Sequence, residues 1–193
     1  MPKQLLRPCI LKQMRARATS GIAAVEFAFL VPVLLILLMG AADLGQMLYA
    51  YYRLDQAVAA GAQYALLNSS KVNSTNGATL AGSIANVVAN ANGTAWANDT
   101  IVVNNGPSAT ITSGTTSTGG TAANANNCYC PSGSPPSWTW GSSKTCSSSC
   151  DGGNGQAGKF VTVTSSVAYH PILKVYTFIT DSTLTQSAAV RTQ

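Results

Sequence analysis

Charge is scarce in this 193-residue chain: Asp, Glu, Lys and Arg make up only 9% of it, and there is one histidine, His170. The six acidic residues stand singly, so no paired-carboxylate arrangement for acid–base chemistry is present. No serine sits in a G-x-S-x-G turn and no glycine-rich phosphate loop occurs. A catalytic function is therefore not expected, and no cofactor is implied. Even the net charge of +5 is uneven, because Lys3, Arg7, Lys12, Arg15 and Arg17 all precede Gly21 with no acid among them. Beyond Gly21 there are six basic and six acidic residues, a formally neutral stretch with no basic face for nucleic acid.

One apolar run stands out against this background. From Phe27 to Ala42 no side chain is charged or able to hydrogen-bond. As a helix, 22–42 would be about 31 Å long at ~1.5 Å per residue, the thickness of a bilayer's hydrocarbon core. A helix of a soluble core would show a polar face, and this one has none. The basic residues ahead of it place the N-terminus in the cytoplasm and the remainder outside. Pro32 removes one backbone hydrogen bond in mid-span, so a kink is expected there. Glu26 is the exception within the run. An isolated carboxylate costs roughly 2.5–3.5 kcal/mol at mid-depth, less near the interface, so it calls for a partner or a function.

The residues around Glu26 carry a resemblance. Gly21, then Ile22-Ala23-Ala24-Val25, then Glu26-Phe27, is similar to the cleavage region of type IV prepilins. More narrowly, residues 21–46 resemble the TadE-like pseudopilins of the tight-adherence (Flp) pilus system. The resemblance implies a cut between Gly21 and Ile22 by a prepilin peptidase on the cytoplasmic side. It implies that Glu26 and Phe27 act in assembly and register, with Glu26 neutralising the new amine of Ile22 in the same chain or a neighbour. The partners it implies are the peptidase, other pilin subunits, the inner-membrane assembly platform and membrane lipid. Two plainer readings compete: a conventional signal peptide cut near 40–42, and an uncleaved single-pass anchor.

Beyond the span, apolar positions from Asp43 to Leu67 recur at helical spacing without a proline: Leu44, Met47, Leu48, Tyr51, Leu54, Val58, Ala62 and Ala65. That predicts one helix from about Ile22 to Leu67, its second half supplying domain core, with Tyr49, Tyr51 and Tyr52 at the membrane interface. Asn68-Ser69-Ser70 is a stop signal. A second, short helix is expected over 78–92. Strands are expected at 100–103 and 109–112, joined by an Asn104-Asn105-Gly106-Pro107 turn, and again at 160–169 and 183–191. The closing pair also resembles, less specifically, the end of TadE-like proteins.

Residues 113–158 change character. Ser, Gly, Thr, Asn and Pro dominate, and the segment reads as a long surface loop. It carries Cys128, Cys130, Cys146 and Cys150, spaced C-x-C and C-x-x-x-C. Outside the cytoplasm these should form disulfides. Pairing within Cys128-Tyr129-Cys130 would be strained, which leaves two cross-connected forms open. A four-cysteine zinc site is the competing reading. Trp138 and Trp140 either cover this stapled knob or form a surface contact for sugar or another subunit.

The expected class is α+β: a long transmembrane-plus-amphipathic helix packed on an antiparallel sheet of about four strands, pilin-like, with a disulfide-tied loop. The expected division is a basic leader over 1–21, a transmembrane helix over 22–42, and an extracytoplasmic domain over 43–193.

Overall fold

A computed structural model describes residues 9–134, 136–151, 155–172 and 181–193, with side chains from residue 21 onward. The chain forms two units, residues 1–45 and 46–193. Helix α1, Cys9–Leu67, passes through both and continues through Pro32. It begins well before Ile22, a correction to the expected start. The reason is local: residues 9–20 are rich in Leu, Lys, Gln, Met, Arg and Ala, the good helix formers, and no proline follows Pro8 until Pro32.

In the first unit, nearly every residue from Gly21 to Ala42 is exposed, with only Val31 and Gly40 partly covered. The most apolar 18-residue window here has a mean hydropathy of 2.7. An N-terminal helix this long and apolar fits a single-pass membrane anchor.

The second unit is a sheet covered on one face by helices. α2 (Gly77–Asn92) follows a short turn. β1 (Asn98–Val103), β2 (Ser108–Thr112), β3 (Thr115–Gly119), β6 (Phe160–Tyr169) and β7 (Ser182–Arg191) form one antiparallel sheet in the order β3-β2-β1-β6-β7. β4 (Ser132–Ser134) and β5 (Ser137–Thr139) make a separate small hairpin. The core gathers Ala57, Val58 and Ala65 of α1, Leu80, Ile84 and Val88 of α2, and Ile101, Val103, Ala109, Val161 and Val163 of the sheet. Strand residues alternate between this core and solvent, as β1 shows with Asp99, Ile101 and Val103 buried in turn.

Two expectations need correction. The sheet has five strands, because β3 lies inside the segment read as loop. All five β3 residues are exposed and polar or Gly, so hydrophobic alternation had no signal to give. The buried stripe of α1 also differs: Leu48 and Tyr51 are exposed, as is Leu44 in the first unit. Within 46–67 the buried positions are Ala50, Leu54, Ala57, Val58, Gly61, Ala62 and Ala65. Small side chains there let α1 approach α2 and β6 closely, and bulk is moved to the exposed side. Tyr49 and Tyr52 are exposed as expected.

Candidate functional site

The first candidate site is the head of the apolar run. Gly21, Ile22, Glu26 and Phe27 all lie in α1 and all are exposed. Ile22 and Glu26 are four residues apart, so they share a helix face about one turn apart. A Cβ added at Gly21 would meet nothing within 4 Å. Neither packing nor backbone conformation in this chain requires glycine at 21.

The second candidate is the cysteine-bearing segment. Cys128 pairs with Cys146 and Cys130 with Cys150, one of the two cross-connected forms left open by the sequence. All four thiols are thereby used, which removes the zinc reading. Among the described residues no group of three or more His, Cys, Asp or Glu converges on a point. Each disulfide closes a loop of 18 or 20 residues, worth about 3 kcal/mol through the lost entropy of the unfolded chain.

The knob is anchored to the sheet by backbone pairing. Tyr129 N–H donates to Gly158 O at 2.8 Å, and Gly158 N–H donates to Tyr129 O at 3.1 Å, just ahead of β6. Asn104 adds a second tie. It is fully buried; its Nδ2 donates to Asn127 O at 2.6 Å and Ala125 O at 3.2 Å, and its Oδ1 accepts from Phe160 N–H at 3.2 Å.

The structure separates the two tryptophans. Trp140 meets Tyr129 edge to face, with ring centroids 5.9 Å apart, and belongs to the knob's own packing. Trp138 lines a cavity of about 540 Å³ beside the Cys130–Cys150 disulfide. His170, the one histidine, is exposed with Nδ1 3.2 Å from Asp181 Oδ1.

Two polar clusters, one half-buried and one buried, carry no signal in the sequence. Arg53 of α1 donates to the carbonyl of Asn92 at the end of α2 and lies 4.4 Å from the Trp96 ring centroid. A cation at a helix C-terminus is favoured by the exposed carbonyls there. Beneath it, Asn92, Asp99 and Ser165 form a buried network. Burial pushes the Asp99 carboxyl above its usual range, outweighing the hydrogen bonds from Ser165 and Asn92 that pull it down. No local motif marks these residues, since Asn92 and Asp99 are 7 apart and Ser165 is 66 beyond Asp99.

Residues 21–63 match the family model described as TadE-like protein. The match takes in the first candidate site and most of α1 beyond it, and ends before α2, the sheet and the cysteine-bearing segment. No curated protein and no solved structure matches the chain.

Proposed function

We propose that this chain is a minor pilin or pseudopilin of a tight-adherence (Flp) pilus. It is cut between Gly21 and Ile22 by a prepilin peptidase, held in the bacterial inner membrane by 22–42, and taken into pilus assembly with its C-terminal domain outside. The carrying observation is Glu26: a single carboxylate in an otherwise uncharged apolar run, one helical turn after Ile22, inside the segment that matches TadE-like proteins. After cleavage the Ile22 amine and the Glu26 carboxylate can neutralise each other, within one chain or between neighbours, which lowers the cost of holding either in an apolar setting. Its partners are the peptidase, other pilin subunits, the assembly platform and lipid, and its role is structural rather than catalytic.

N-terminal sequencing of the protein from membranes, with and without the peptidase, tests this. A peptidase-dependent start at Ile22 is expected. A start near Asp43, or an intact Met1, overturns it.

A second reading keeps the chain uncleaved, as a membrane-anchored adhesin acting through 113–158. The observation in its favour is that this segment is built: two disulfides, a hairpin and the Asn104 tie hold it.

A further inference from the structure

The cavity of about 540 Å³ beside Cys130–Cys150 has walls from two parts of the domain. The knob contributes Trp138, Asp151 and Gln156. The sheet contributes Phe160 at the start of β6 and Arg191 at the end of β7. The Cys130–Cys150 disulfide forms part of the knob's wall and ties its two segments together there.

Two of the polar side chains at the cavity have partners. Lys144 Nζ donates to both Asp151 oxygens, at 2.9 and 2.8 Å. Arg191 Nε donates to Gln193 O at 2.9 Å. The Gln156 backbone is fixed by antiparallel pairing with Ser149.

We infer that this cavity is a saccharide-binding site. A sugar ring has an apolar C–H face and a rim of hydroxyls that both donate and accept. Trp138 and Phe160 offer aromatic surface to the face, and Asp151, Gln156 and Arg191 offer an acceptor, an amide and a planar donor fork to the rim. The volume is that of a small-molecule site. An acyl chain, with no donors or acceptors, would make no use of the rim groups. The inference rests on and deepens the contact role that the second reading gives to 113–158. It is independent of processing at Gly21, which is read on the N-terminus, so either can fail while the other stands.

The test uses the full chain in lipid nanodiscs. Methyl glycosides of glucose, galactose, mannose, N-acetylglucosamine and galacturonic acid are screened by saturation-transfer NMR and then titrated. At least one is expected to bind. Trp138→Ala and Gln156→Ala should each weaken it by about tenfold, with both disulfides still formed, while Trp138→Phe retains most of the affinity. Absence of binding across the panel overturns the inference, as does binding that both alanine variants leave unchanged. Self-association of the chain that the same substitutions abolish would assign the cavity to a protein partner, and also overturns it.

Discussion

Asp99 and Ser165 face each other across β1 and β6, and Ser165 Oγ donates to Asp99 Oδ1 at 2.5 Å. Asn92, the last residue of α2, donates from Nδ2 to Ser165 Oγ at 2.8 Å and to the same Asp99 oxygen at 3.3 Å. The three side chains are buried, and they fix the end of α2 over the middle of the sheet. Among the described residues Asp99 Oδ2 and Asn92 Oδ1 have no hydrogen-bond partner, so the network is satisfied only in part.

The pH dependence of stability follows from that burial. The Asp99 carboxyl is raised above its ordinary value of 3.8 by desolvation, so the folded chain holds this proton more tightly than the unfolded chain. Its contribution is fully present below pH 3.8 and is lost as pH rises from there through the raised folded value. Asp99→Asn keeps the shape and removes the titration. The difference in Tm between Asp99→Asn and the parent should therefore move in the variant's favour as pH rises through that window. An equal difference at every pH would refute this.

Gly61 marks where α1 comes closest to its neighbours. A Cβ there would lie 2.5 Å from Val88 Cγ2, 3.2 Å from Val163 Cγ1 and 3.4 Å from Ile84 Cγ2. Alanine gains about 1 kcal/mol of helix propensity over glycine, while overpacking a filled core costs about 1–3 kcal/mol. The valines are stiff and their surroundings are closed, so the steric term wins. Gly61→Ala should lower the stability of the domain by about 1 kcal/mol, and Gly61→Val by more. Thermal denaturation of the two variants checks the order.

What could be read in advance was what repeats along the chain. α2 and strands β1, β2, β6 and β7 carry helical or alternating periodicity, and each forms near its expected bounds, while the unbroken apolar run lies inside a helix that begins earlier, at Cys9. β3 carries none: Thr115 to Gly119 is exposed throughout and is held by pairing with β2. On α1, the same apolar positions suit two adjacent faces, and the decision fell to Ala50, Ala57 and Gly61, residues too small to weigh in a hydrophobic pattern. The disulfide pairing and the Asn92–Asp99–Ser165 network depend on where distant segments meet, which spacing does not encode. Trp138 and Trp140, two residues apart, took different roles for the same reason.

Asn104 was legible only as part of a turn, yet its side chain ties the cysteine-bearing segment to the sheet. Its backbone φ is +53°, a conformation asparagine tolerates better than most residues. Asn104→Ala would leave the carbonyls of Ala125 and Asn127 without this donor and would strain the turn. A buried polar group left unpaired costs about 1–3 kcal/mol. The domain should lose at least that much, and hydrogen exchange should accelerate first over 122–130. Uniform acceleration across the sheet would argue against a local tie.

The last prediction separates folding from recognition at the head of the apolar run. Gly21 has open space around its Cα, and Glu26 is exposed in a helix that does not need it for packing. Substitutions at either position should therefore leave helix α1 and the domain intact. If a peptidase must fit its pocket around residue 21, Gly21→Leu blocks the appearance of an Ile22 terminus, seen as retention of the longer chain on a gel. Glu26→Ala should be processed normally, because the carboxylate is not at the cut. Its deficit should come later, when the uncompensated Ile22 amine enters an apolar setting without its counter-charge. Pilus yield should then fall while the amount of mature protein in the membrane is unchanged. Glu26→Asp shortens the reach but keeps the charge, and should recover part of the yield. Full assembly by Glu26→Ala would mean that the carboxylate has no part in register.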